Sequence, residues 1–314
     1  MKQFVTRYFL LFVLLLAVVI AFAMKATIFQ NPKPPPSQPA TLQLDFGWNA
    51  EEGAYWAGNL LEVNTYRLEQ AYKGVLNAGE ATLVFTVESI LPNTLSPADN
   101  DENAILTLKS NLTRRFGRGT SDGSFVTSVL TPVHNPIFPN TLVVNTSKQL
   151  WEGYGHQQLT YRDNAYQVQT QPSDTKEADQ PQSLVKTRLE DELWNRIRLE
   201  PDKLPTGEIQ LIPGTAITQL RNIPLKTLPA KATLADYEGV LYPGKFLKSY
   251  ILEYPTDDRT MVFVFEGKFP HKIVGWEEEY RTQDNLLTSR AVLVNTVQTD
   301  KQNRKVRSDS TLHN

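Results

Sequence analysis

The 314-residue chain has no cysteine, only four histidines and three methionines, and no excess of either charge. Each shortage closes off a class of function. Without cysteine there is no disulfide framework, thiolate zinc site, iron–sulfur cluster, thiol nucleophile or lipobox attachment. With 32 basic and 34 acidic side chains interspersed, the net charge is −2, and there is no basic footprint for nucleic acid. The histidines, at 134, 156, 271 and 313, are nowhere paired at metal-ligand spacing. No zinc-protease helix motif, P-loop or Gly-x-Ser-x-Gly elbow is present. The sequence implies no metal and no cofactor.

Long hydrophobic runs are also scarce, and the one present sets the compartment. Lys2 and Arg7 precede an uncharged apolar run over residues 8–24. About 17 residues at ~1.5 Å each span roughly 25 Å, the short limit for a bilayer core of about 30 Å. Ala21-Phe22-Ala23 also offers a small-x-small cleavage site. Residues 1–7 read as a cytoplasmic n-region and residues 8–24 as a transmembrane anchor or a signal peptide. Either reading keeps the basic end inside and sends the remainder across the membrane. The expected location is the cell envelope: anchored in the inner membrane with its domain outside the cytoplasm, or exported and soluble if the signal is cleaved. Asn31-Pro-Lys-Pro-Pro-Pro-Ser-Gln-Pro39 carries five prolines. It makes residues 25–41 a Pro-rich, semi-rigid linker.

From residue 42 the hydrophobic period is two rather than 3.6. Segments 61–68, 81–88, 104–108, 124–130, 158–170, 208–212, 246–253, 261–266 and 290–297 read as strands. Turn formers such as Asp122-Gly123 and Tyr242-Pro-Gly244 separate them. The expected fold is mainly β: an antiparallel curved sheet, open barrel or sandwich over residues 42–298. One segment breaks the pattern. Asp179 or Ser183 can cap a helix with Pro181 in its first turn, and Val185, Leu189, Leu193 and Ile197 recur at i+4. This predicts one helix over residues 181–199, docked on the sheet, with Glu190, Asp191, Asn195 and Arg196 on its polar sides. Residues 299–314 read as a polar disordered tail.

Aromatic residues with polar handles are the candidate ligand-binding set. Trp56, Tyr66 and Tyr72 belong to the first strands, and Trp151, His156 and Arg162 cluster further on. On a concave sheet such residues line a groove; on any sheet they also serve as core. Trp276 and Glu277 complete the set. Glu277 and Glu279 share one face of an extended chain, with Glu278 opposite. No residue is assigned a catalytic role.

The chain resembles a family of uncharacterised exported bacterial proteins that has sometimes carried the name septum formation inhibitor Maf. The resemblance rests on Tyr55, Trp56 and Gly58, on the spacing of Tyr66, Leu68, Gln70, Tyr72 and Gly74, and on Gly79-Glu-Ala81. It continues through Arg162-Asp-Asn164, Glu192-Leu-Trp-Asn195, Leu204-Pro-Thr-Gly207, Leu252-Glu-Tyr-Pro255 and Gly275-Trp-Glu-Glu278. True Maf proteins are similar to cytosolic nucleotide pyrophosphatases with a Ser-x-Ser-Pro-Arg-Arg motif. That motif is missing here, so no residue role carries over and a pyrophosphatase is the least supported reading. The leading expectation is a non-catalytic binding or structural component of the envelope, with an unknown envelope ligand or protein partner and a membrane contact through residues 8–24. The alternative is an envelope hydrolase with a carboxylate or histidine site assembled by the fold.

Overall fold

The computed structural model describes residues 50–56, 60–98, 101–117, 122–172, 182–283 and 285–300. The n-region, the apolar segment 8–24, the linker 25–41 and the tail from 301 lie outside the described residues. In chain order the first elements are helix α1 (Ala50–Trp56) and strands β1 (Leu60–Tyr72), β2 (Val75–Leu91), β3 (Ser96–Pro97), β4 (Ile105–Phe116) and β5 (Gly123–Pro132). Next come β6 (Val143–Leu150), β7 (Gly153–Arg162), β8 (Ala165–Pro172), β9 (Gln182–Val185) and β10 (Arg188–Leu189). Helix α2 (Leu193–Leu199), β11 (Gly207–Ile212) and helix α3 (Thr215–Arg221) follow. Strands β12 (Leu228–Asp236), β13 (Leu247–Tyr254), β14 (Arg259–Glu266), β15 (Ile273–Thr282) and β16 (Asn285–Asp300) end the described chain.

The sixteen strands of the described residues belong to one sheet rather than two. Its order is β10-β11-β12-β13-β14-β15-β16-β1-β2-β4-β5-β6-β7-β8-β9, with β3 paired to β2 off this path. The first and last strands therefore meet in the middle, with Val63 opposite Val297. Among the described residues its two end strands, β9 and β10, are consecutive in the chain and do not pair with each other. Every pairing is antiparallel except β10 with β11. Tight turns make the meander possible. Lys73-Gly74 and Asp163-Asn164 hold positive φ (50° and 78°, 50° and 61°), as a two-residue hairpin turn demands. The second of these splits the single strand expected over residues 158–170 into β7 and β8.

The sheet is strongly curved. Helix α2 touches β5 through Asn195, whose Nδ2 points at Val129 O, and packs Trp194 on Phe263 of β14. In a flat sheet those strands lie six spacings of about 4.8 Å apart, roughly 29 Å. A helix is only about 10 Å across, so both contacts require the sheet to wrap around α2. Arg114 of β4 likewise reaches Glu278 of β15 at 3.7 Å. Leu68, Leu83, Phe85, Phe263 and Ile197 pack in the main core between the concave face and α2.

Three expectations need correction. The helix drawn over 181–199 is shorter: residues Gln182–Val185 form an edge strand on β8, in the register Ala165 to Val185. The open edge of β8 offers backbone partners there, and Val185, counted into the helical stripe, is 82% exposed. Helicity starts only at Leu193. The described residues hold three short α-helices and one 3-10 helix, Pro201–Lys203, rather than one helix. Residues 299 and 300, counted into the expected tail, instead belong to β16, where Thr299 and Asp300 pair with Leu61 and Leu60; the rest of that segment lies outside the described residues. Among the described residues no helix is long and apolar enough to cross a membrane.

Candidate functional site

Wrapping the sheet around α2 buries polar side chains, among them two ion-pair networks, an Asp191–Thr215 pair and part of the lining of a cavity. The first network centres on Arg198. Its guanidinium donates to both oxygens of Glu62, at 2.7 Å to Oε2, and its Nε donates to Pro270 O at 2.8 Å. Its guanidinium carbon lies over the rings of Trp56 and Phe85, 5.1 and 4.6 Å from their centroids. Asn64 and Tyr55 also donate to Glu62. Burial acts to raise the Glu62 carboxyl, but the charge and hydrogen bonds of Arg198 outweigh it and hold the pKa at about 2. Burial pushes the Tyr55 phenol up to about 12.

The second network centres on Arg259, fully shielded from solvent. It donates to Glu278 Oε1 from Nε at 3.0 Å and from Nη2 at 2.7 Å, and to Glu190 Oε2 from Nη1 at 2.8 Å. Tyr254 donates to Glu190 as well. Beside it, Asp191 Oδ2 accepts from Thr215 N and Thr215 Oγ1, each at 2.8 Å.

Asp191 gives the domain a pH dependence. Burial raises its carboxyl to about 6, against the opposing pull of the two Thr215 hydrogen bonds. Between about pH 4 and 6 the folded chain therefore holds a proton that the unfolded chain releases. The stability this supplies is complete below about pH 4 and is lost as pH rises toward 6, by up to ~1.4 kcal/mol per unit. Asp191→Asn keeps an acceptor for Thr215 and has no charge to bury. Its stability relative to wild type should rise by about 2–3 kcal/mol from pH 4 to pH 7.5. Urea unfolding at both pH values checks this, and parallel curves would refute it.

The cavity lies between β7, β8 and the end of α3, with a volume of about 480 Å³. Its polar lining is rich in amides and hydroxyls: Gln157, Thr170, Gln171, Gln182, Gln219 and Asn222. Ile223, Pro224 and Leu225 supply an apolar patch. Its charged members are one of each sign, Lys148 and Glu152, and Glu152 is bound by Lys73 and by the Tyr72 hydroxyl. Strand alternation places Gly155, Gln157 and Leu159 on the buried face of β7. Asn222 ends α3 in the left-handed region, φ 53°, with its N–H bonded to Thr218 O. Among the described residues no group of three or more His, Asp or Glu is placed to hold a metal ion.

The structure distributes the sequence candidates widely. Trp56 is buried against Arg198, and Tyr66 and Trp276 pack together in the core at 4.8 Å. The Tyr66 hydroxyl donates to Ile273 O at 2.8 Å. Tyr72 lies half-buried on Phe116. Trp151 is 77% exposed, and Arg162 is exposed at the β7–β8 turn. Glu277 accepts from Arg290 at 3.1 Å and Tyr242 at 3.2 Å. Of the set only His156 borders the amide cavity, and its Nδ1 lies 3.2 Å from Ser147 Oγ. Sequence reasoning missed the glutamines and both arginines. Glu62, Asn64, Tyr66 and Leu68 share one strand face, the one signal that polar side chains point inward.

No protein-family model and no curated protein matches the chain. Among solved structures, the crystal structure of a β-barrel-like protein of domain of unknown function DUF1849 from Brucella abortus aligns with a TM-score of 0.45 at 10% identity. The alignment covers 77% of this chain and 98% of that one.

Proposed function

We propose that the chain is an exported envelope protein, held at the inner membrane through residues 8–24, whose β domain binds a ligand in the amide cavity without transforming it. The observation that carries this is where the buried carboxylates sit: Asp191, which no arginine holds, is bonded to Thr215 and is no part of the cavity lining, and the glutamates of the two networks are paired. Glu62, Glu190 and Glu278 are each bound to an arginine. The cavity's polar lining is mostly amides and hydroxyls, with Lys148, Glu152 and His156 as its ionisable members. A hydrolase needs an acid, base or nucleophile free to meet a bound molecule, and groups held in ion pairs serve stability before chemistry. The motif resemblance to exported bacterial proteins and the basic n-region ahead of an apolar run support the compartment.

The rival hydrolase reading draws on the Ser147–His156 pair, cross-strand partners in β6 and β7. A fluorophosphonate probe separates the two. Binding without chemistry expects no label at Ser147; a label that disappears in Ser147→Ala overturns it. Location has its own test. Protease added to spheroplasts should degrade the β domain while leaving cytoplasmic controls intact. Survival of the domain beside degraded external controls would place it inside.

A further inference from the structure

We propose that the amide cavity takes a neutral, polyhydroxylated ligand, a saccharide unit of an envelope glycan; this rests on the binding reading above and names its ligand class. Two polar atoms point to it. Gln157 is only 7% exposed, its Nε2 donates to Thr170 Oγ1 at 3.3 Å, and its Oε1 has no protein partner. Gln219 Nε2, a buried atom of another residue of the same lining, has no protein partner either. Turning the Gln157 amide over merely exchanges which end is left unbonded. Buried polar groups are rarely left so, and those that are call for an explanation other than folding.

The chemistry of the missing partner follows from what the two amides need. One orphan is an acceptor and the other a donor, and a hydroxyl is both. A row of ring hydroxyls satisfies several amides whichever way each is turned. Lys148 and Glu152 are the lining's charged side chains, and Glu152 is already bound by Lys73 and the Tyr72 hydroxyl, so a polyanion would have one lysine alone to meet it. The apolar patch of Ile223, Pro224 and Leu225 suits the C–H face of a sugar ring, and Tyr154, half-exposed, stands at the border. An extended peptide added as a strand fits less well. The backbone of β7 over residues 155–157 is already paired to β6 on one side and β8 on the other, so side chains alone do the reading.

The test is calorimetric titration of the full chain in lipid nanodiscs with maltotriose, cellotriose and the N-acetylglucosamine trimer. At least one should bind with a Kd below about 1 mM, within reach of a few buried hydrogen bonds. Gln157→Leu and Gln219→Leu should each weaken that binding at least tenfold. Gln157→Leu should leave the melting temperature unchanged or raised, because it removes an unsatisfied amide without removing volume. Asn222→Gly keeps the left-handed backbone and serves as a second variant, expected to weaken binding severalfold. Sugar binding that none of the three variants alters would overturn the site. A tripeptide amide or dodecylphosphocholine that binds instead, with Gln157→Leu abolishing it, would overturn the saccharide class and leave the binding reading standing. No heat from any of these probes would overturn both.

Discussion

Arg259→Met is expected to lower the unfolding free energy by about 4 kcal/mol or more. Removing one partner of a buried ion pair costs about 3–5 kcal/mol, because the remaining charge is left in a site it cannot leave. Arg259 serves two such partners at once. Glu190 and Glu278 are both buried, and both are bonded through the one guanidinium. Arg114 stands 3.7 Å from Glu278 and compensates only that end. Methionine matches the arginine stem in bulk, so lost packing contributes little and lost charge contributes most. The control follows directly. Adding Glu190→Gln and Glu278→Gln to Arg259→Met removes the stranded charges and should recover most of the loss, a non-additivity expected of residues in one network. Urea denaturation of the single and triple variants measures it. A single variant within about 1 kcal/mol of wild type would mean that the cluster is wet or loosely held.

That network shows where the sequence was readable and where it was not. Alternation alone placed Glu277 and Glu279 on one face of β15 and Glu278 on the other, and the structure has that arrangement. What alternation could not say is which face is inside. Trp276, Glu278 and Tyr280 point inward together, so the outward Glu277 was the less informative choice. The same parity holds in β1, where Glu62, Asn64 and Tyr66 occupy the concave face beside the apolar Leu68. A curved sheet around an internal helix breaks the rule that a buried face is apolar, because its interior carries arginines that pay for the carboxylates. Those arginines come from α2 and from β14, far along the chain, and no local pattern links Arg198 to Glu62. The nine strand segments read and the predominance of β were legible because they depend on neighbours in sequence; β6, β12 and β15, whose alternation is weaker, were not read. The curvature, the ion pairs and the amide cavity depend on which distant strands the sheet brings face to face.

Helix α2 is the element on which that convergence turns, and Trp194→Asp is expected to be the most damaging single change in it. Trp194 is 4% exposed, with its ring edge-on to Phe263 at 4.8 Å and to Trp276 at 5.0 Å. Truncating a buried Trp costs about 3–5 kcal/mol in transfer and cavity terms. The new carboxylate adds an unpaired charge in an apolar pocket, a further penalty of several kcal/mol. Together these approach the whole stability of an ordinary domain, about 5–15 kcal/mol. Leu193→Asp, at 1% exposure, should behave similarly. Arg196→Ala is the contrast on the same helix. Its side chain is partly exposed and donates to Pro139 O at 2.6 Å, so about 1 kcal/mol is expected. Thermal unfolding of the three full-length variants gives the comparison. Melting temperatures for the Asp variants close to that of Arg196→Ala would mean that α2 is not enclosed by the sheet, and the wrapping deduced from its contacts with β5 and β14 would be wrong.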